Sequence, residues 1–475
     1  MEKVSENPNG MPALTPDGSP SLDATERGNL PPARLRSRDV GITAVGNIAS
    51  LLSVVIGAPI LAQSLGVEQR GVVAGAVAPL MLLLGAATLG IPEAATFYIA
   101  NKSDTVIRVL VRGTGLIVLV GAAASFTTIL LADELANGNG QLVALIRLAA
   151  LALPLALITL VLRAVAAGLH AWTLIAVERA VFGSVRLGGF LILLLIGHLN
   201  AQSATAVIAA STFLGAIAYI GLFRTRRSSI TTKVDVYHKA SLIRYGSRFW
   251  VGSITGVMLT RLDQVLMVPL SSESQLGLYA VAVSIAEIPL VISMAVRDVT
   301  FSVEAESSSA RRITTASRIT SIAVISVAAA IIGAAYPLVP IIFGREFGAA
   351  TPAIIILLAG TIFATPGSIG GMAIAARGKP GLRSAALAVA AAVNAALLLA
   401  LVPTYGAIGA AIATMIGNFV YTTVNLYLCS RILMTPAKDF LVLQRSDFRF
   451  ILSALSRFKI KSKYETKNRE RRRSR

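Results

Sequence analysis

The chain has 475 residues, of which 55% are hydrophobic and only 14% charged. A soluble domain carries roughly 25% charged residues, so a single soluble core is excluded and a set of bilayer-spanning helices fits. The formal net charge is +19. It lies between apolar runs and in the tails, which is the positive-inside pattern of a membrane protein and argues against a nucleic-acid-binding face.

In chain order, residues 1–40 are rich in Pro, Ser, Asp and Glu and lack the apolar core of a signal peptide. A disordered cytoplasmic tail is expected there. Twelve apolar segments of roughly 20 residues or more follow, the length that crosses ~30 Å of hydrocarbon. They are predicted at 41–63, 72–98, 109–132, 142–165, 172–197, 204–223, 247–269, 277–301, 319–343, 351–376, 382–403 and 408–430. Lys and Arg collect in the first tail, in the even connectors and in the last tail, the very short fourth connector being bounded by Arg163 and Arg179. The odd connectors hold only Arg70 and Arg345. That alternation predicts twelve spans with both termini cytoplasmic.

The two halves also look alike. Laying Gly71 of L-G-V-E-Q-R-G on Gly277 of S-E-S-Q-L-G brings the starts of the third to sixth segments within a few residues of the ninth to twelfth. The predicted fold is therefore all-α and membrane-integral, with two parallel six-helix repeats and a site near the midplane between them. The expected divisions are a 1–40 tail, a 41–223 lobe, a 224–246 cytoplasmic linker, a 247–431 lobe and a 432–475 basic tail. In that last tail Phe448, Ile451, Leu452 and Leu455 share one helical face, the pattern of a short interfacial helix.

The charges within the apolar segments are the candidate functional groups. The seventh segment carries Arg261 and Asp263, and the eighth carries Glu287 near its middle. At 1.5 Å per residue, Arg261 and Arg186 each lie about 21 Å from the cytoplasmic surface, and Arg147 lies about 8 Å from the outer one. Three guanidinium groups are thus predicted in one layer, where they suit bidentate binding of phosphate or carboxylate. Two readings stand for Arg261 and Asp263: an anion-binding cavity, or an internal pair of Arg261 with Asp263 or Glu287. Arg147 and Arg186 lean to the cavity, having no acid at their depth in the same lobe. Arg163, Arg179 and Arg297 are expected to reach back to the interface. Pro92 with Glu93, and Pro366 with Gly367, are gate or hinge candidates, with helix adjustment and packing as the plainer readings.

Cys429 is the only cysteine, His170, His198 and His238 lack ligand spacing, and no G-x-x-x-x-G-K-[ST] run occurs. No metal, cofactor or catalytic residue is predicted.

Several stretches resemble the polysaccharide-biosynthesis flippases of the O-antigen type. They are Tyr245-Gly246-Ser247, Arg261 to Leu266 (R-L-D-Q-V-L), Leu276 to Tyr279, Glu287, Pro340 to Phe347, and Pro403 to Ala411. Leu65 to Gly71 and Leu89 to Ala94 (L-G-I-P-E-A) are similar to the same family, so the resemblance covers roughly 40–430. The family shares a superfamily with multidrug-and-toxin (MATE-like) exporters and lipid II flippases. The resemblance implies a V-shaped carrier with alternating access in the cell membrane. It would move an undecaprenyl-pyrophosphate-linked oligosaccharide outward, and polysaccharide polymerase or assembly proteins and membrane lipids would be its partners. A multidrug exporter is the related alternative. A membrane polysaccharide polymerase is less favoured, because every outer connector is short and leaves no loop for a catalytic site.

Overall fold

The computed structural model describes residues 37–100, 106–220, 240–306, 309–442, 444 and 447. The described residues hold helices and turns and no strand. Helix α1 runs Ser37–Ala86, α2 Ile91–Ala100, α3 Val106–Leu130, α4 Ala132–Leu135, α5 Gly140–Leu151, α6 Leu153–Gly168, α7 Trp172–Leu195 and α8 Ala201–Leu214. In the second half α9 runs Ala240–Leu270, α10 Glu273–Glu306, α11 Ala310–Phe343, α12 Thr351–Ala376, α13 Pro380–Leu433 and α14 Lys438–Leu441. Side-chain caps begin two of them: Asn139 accepts from the Leu142 amide at the start of α5, and Asn200 with Ser203 forms a capping box on α8.

Eight helices among the described residues are long and apolar enough to cross a membrane. Large apolar side chains such as Leu119, Phe126, Leu195 and Ile341 stand exposed, while small residues fill the helix contacts. This is the surface of a multi-pass membrane protein, whose solvent is hydrocarbon and whose helices associate by close packing. A straight helix as long as α1 would run about 75 Å, far more than the ~30 Å of hydrocarbon. Gly66, at φ 74° and ψ 178°, breaks α1 into arms 37–65 and 67–86. Gly406, at φ 52° and ψ −126°, divides α13 in the same way. Both conformations lie where an L side chain is strained.

The loop end that carries Gly66 and Gly406 is where the halves of the chain meet most closely. A Cβ placed on Gly71 would overlap the Glu273 carbonyl oxygen, and one placed on Gly277 would overlap the Val67 carbonyl oxygen. The contact is reciprocal. When Gly71 is laid on Gly277, Val67 falls on Glu273, so each glycine meets the counterpart of the other's neighbour. Such isologous packing is what a local two-fold axis produces. Two hydrogen bonds join the halves nearby: Gln63 Nε2 donates to the Ile342 carbonyl at 2.7 Å, and Asn139 Nδ2 donates to Glu273 Oε1 at 3.0 Å. A large core spans both halves at this end, with Leu61, Val73, Leu142, Met267, Leu276 and Leu358 among its members.

The described residues that follow α13 pack back onto the bundle. Phe440 on α14 is fully buried against Ile313, Ile369, Leu426 and Leu433. Beyond it, Asp447 accepts two hydrogen bonds from Arg318, at 2.6 Å from Nε and 2.9 Å from Nη2. Arg318 Nη1 also donates to the Asp439 carbonyl. Asp439 and Asp447, which fall in the 432–475 stretch expected to be a basic cytoplasmic tail, are therefore fastened to α11. The predicted interfacial face of Phe448, Ile451, Leu452 and Leu455 lies outside the described residues, as do most of the 1–40 tail and of the 224–246 linker.

Gly71→Ala is expected to lower stability by about 1–3 kcal/mol, the range for overpacking, read as a lower thermal midpoint of the detergent-purified protein. Gly115→Ala, with open space where its Cβ would go, should leave that midpoint unchanged. The hydrogen bond from Arg318 holds the Asp447 carboxyl below the usual carboxylate range. A depressed carboxyl contributes stability that is complete above the ordinary value of about 3.9 and is lost as pH falls through its lower folded value. The docking is therefore expected to hold at neutral pH and loosen only in strong acid. Asp447→Asn should instead release it at pH 7, seen as loss of hydrogen-exchange protection at the Val442 amide.

Candidate functional site

Arg261 of α9 and Glu287 of α10 form an ion pair in the second half, Nη2 to Oε1 at 3.1 Å, with each side chain 36% exposed. Two arginines of the first half lie beyond this pair, Arg186 nearer to it and Arg70 nearer to Arg186. Arg186 of α7 lies within electrostatic reach of both Glu287 and Arg261, and Arg70 of α1 lies within reach of Arg186. Arg70 is buried, and the Nε atoms of Arg70 and Arg186 are buried without a hydrogen-bond partner. Among the described residues, no acid approaches either arginine within ion-pair distance.

Local helix geometry explains these directions. On α7, Phe190 is one turn from Arg186 and packs on Gly57 of α1, so that face of α7 looks toward α1. On α9, Val257 is one turn from Arg261 and packs on Gly85 of α1. Counting from the sealed end at 1.5 Å per residue, Arg70 lies about 6 Å in, Arg186 and Arg261 about 14 Å, and Glu287 about 21 Å. The cluster thus runs inward from the contact between the halves. It holds three guanidinium groups and one carboxylate. An arginine cannot shed its proton to escape burial, so a surplus of buried cations is a receptacle for anions.

The structure does not bring the other predicted residues to this cluster. Arg147 pairs with Asp133 at 2.9 Å, and both are well exposed. The packed face of α5 is Leu142, Ile146 and Ala149, and Arg147 shares the opposite, exposed stripe with Leu148 and Leu151. The expected three-arginine layer is corrected accordingly: depth places Arg147 in it, but helix rotation turns it away, and Asp133 supplies the acid. Asp263 is buried and belongs to a different knot. It accepts from the Tyr279 hydroxyl, from Thr414 Oγ1 at 3.3 Å and from the Gln264 amide at 2.8 Å, tying α9, α10 and α13 together. Of the two acids open to Arg261, Glu287 is its ion-pair partner.

Arg163 does not reach back to the interface. Its Nε and Nη2 bind the buried carboxylate of Glu178 at 2.9 and 2.8 Å, with Tyr219 beside it. Pro92 occupies the first turn of α2, where its missing amide costs nothing, and Glu93 is exposed. The helix break lies just upstream, at Leu89 and Gly90 with φ 48° and 70°. Pro366 and Gly367 sit buried within the continuous helix α12. Gly367 packs directly on Thr422, whose hydroxyl donates to the Phe363 carbonyl at 2.7 Å. The predicted broken point is thus a close helix contact. Sequence reasoning missed Arg70, which falls in a connector by segment counting. Its one signal was being a lone cation in an otherwise cation-free connector. No group of three or more His, Cys, Asp or Glu side chains among the described residues is placed to hold a metal ion.

This arrangement of helices is found in solved membrane transporters. The chain is similar to an inward-facing multidrug resistance MATE family transporter of the MOP superfamily, with a TM-score of 0.66 and 15% identity over 84% of this chain and 100% of that one. It is similar to the lipid II flippase MurJ in an inward closed conformation, with a TM-score of 0.64 and 14% identity over 85% and 89%. At such identities the likeness is one of fold. Residues 37–303 match the sequence model described as polysaccharide biosynthesis protein, and the chain belongs to that family. A stretch of 106 residues is 33% identical to an uncharacterized membrane protein of Methanocaldococcus jannaschii, covering 22% of this chain and only 21% of that protein.

Asp263→Ala is expected to leave the buried Tyr279 hydroxyl and the Thr414 hydroxyl with only each other, at 3.3 Å, and to lower stability by about 1–3 kcal/mol, the cost of losing a buried acceptor. Thermal unfolding of the purified protein checks this, and Arg147→Ala, at an exposed pair, should leave the midpoint close to wild type.

Proposed function

We propose that the protein is a flippase that carries a lipid-linked oligosaccharide from the cytoplasmic to the outer leaflet of the cell membrane. The carrier lipid would be a polyprenyl pyrophosphate of the undecaprenyl type. The observation that carries this reading is Arg70 and Arg186, whose Nε atoms are buried and which have no acid partner among the described residues, with Arg186 in reach of Arg261 and Glu287 where the halves meet. A pyrophosphate brings the anionic oxygens that such guanidinium groups bind bidentately. Membership of the polysaccharide biosynthesis family supports a glycan as the cargo.

The proposed architecture is two six-helix lobes, 41–223 and 247–431, joined by the 224–246 linker, with twelve spans in all. It is supported by the reciprocal packing of Gly71 and Gly277, by the breaks at Gly66 and Gly406 that turn two long helices into four, and by α7 and α9 as further spans. The alternation of Lys and Arg in the connectors supports cytoplasmic termini. The end sealed by the two glycines then faces outward. Transport by alternating access would part the lobes at that end, and polysaccharide polymerase or assembly proteins would receive the product. The multidrug-exporter alternative is less favoured. A cationic drug calls for an unneutralised acid, and Glu287 already faces a surplus of arginine.

The test is a gene deletion complemented with variants. The deletion strain should accumulate a lipid-linked oligosaccharide on the cytoplasmic face. Arg70→Ala, Arg186→Ala and Arg261→Ala should each cut export at least tenfold with normal protein level in the membrane, while Arg147→Ala should restore it. Normal export by both Arg186→Ala and Arg261→Ala would remove the arginine site from the mechanism. A change in drug sensitivity with glycan export untouched would favour the exporter.

A further inference from the structure

We infer that Glu287 is an exchangeable internal counter-anion, which holds the place of the substrate's anion while the site is empty and gives it up on loading. The inference rests on the anion-carrying reading above and specifies how that site is regulated.

Three arginine–acid pairs within the helix bundle differ in kind. Arg163 grips Glu178 through two hydrogen bonds, and the Glu178 side chain is 2% exposed. Arg318 grips Asp447 through two hydrogen bonds, with side-chain exposures of 2% and 0%. In both the acid is buried, although the Arg163 side chain is itself 33% exposed, and each pair is held by a further group, Tyr219 in the first and the Asp439 carbonyl in the second. Removing one partner of such a pair leaves a buried charge uncompensated, so these are fixed joints.

The Arg261–Glu287 pair differs at its acid, with more than a third of the Glu287 side chain accessible. Glu287 is also shared. It touches Arg261 and lies within electrostatic reach of Arg186 across the junction. One carboxylate is therefore shared between guanidinium groups of different halves, and Arg70 lies within reach of Arg186. This is the position that one end of an incoming diphosphate would occupy, with more charge and more acceptor oxygens than a carboxylate offers. The exchange needs no bond to be made or broken, only a change of partner at Arg261 and Arg186. An acid at this point keeps the empty site from holding three unopposed cations, and its return after release competes against rebinding.

The experiment is a titration of full-length, detergent-purified protein with inorganic pyrophosphate at low ionic strength, read by calorimetry. Wild type should bind, and Arg186→Ala should lose at least tenfold in affinity. Glu287→Gln keeps the shape of the side chain and removes its charge, so it should bind pyrophosphate about tenfold more tightly than wild type, near 1.4 kcal/mol. Arg147→Ala should bind as wild type, which separates the site from the general basicity of the chain. Equal or weaker binding by Glu287→Gln, with Arg186→Ala still impaired, would overturn the exchange and leave the anion site standing. No saturable binding by wild type, or an undiminished Arg186→Ala, would overturn both.

Discussion

The contact between Gly71 and Gly277 brings two helix backbones closer than any side chain would permit. Much of the charged centre hangs on it. Arg70 is the residue before Gly71, so the approach that buries the glycine also draws the guanidinium inward. Gly277 stands ten residues before Glu287 on α10, about 15 Å along the helix, so the same contact fixes the depth of the acid. Because each glycine packs on the counterpart of the other's neighbour, the two halves are held in one register.

Around that contact the protein uses charge in two ways. Arg163 with Glu178, and Arg318 with Asp447, are doubly bonded, and the acid of each pair is buried. They fasten helices where a mismatched charge would be intolerable. The centre does the reverse. Arg70 is buried and Arg186 half-buried, each with its Nε donor left over, a state that persists only where something else holds the groups in place. The packing of Phe190 on Gly57 and of Val257 on Gly85 supplies that hold.

Much of this was legible in the sequence, and the limits have a physical origin. Apolar segments, the family likeness and the depth of each charge follow from composition and a fixed rise per residue. Rotation about the helix axis does not, when a helix is apolar all round. Arg147 and Arg186 were equivalent by depth, yet one faces the surface beside Asp133 and the other faces α1. Segment counting excluded Arg70 because a connector is assumed to lie outside the bundle. The choice between Asp263 and Glu287 as the partner of Arg261 needed Tyr279 and Thr414, whose hydroxyls claim Asp263. The docking of Asp447 on Arg318 joins residues far apart in sequence, and no local pattern announces it.

The imbalance at the centre also has an electrical consequence. Three guanidinium groups and one carboxylate leave the empty site with surplus positive charge well inside the bundle. A charge that crosses the whole membrane field exchanges about 2.3 kcal/mol per 100 mV with it. Any rearrangement that carries these groups along the membrane normal is therefore coupled to voltage. A bound diphosphate would cancel most of the surplus, so the empty and loaded forms respond to the same potential with different force.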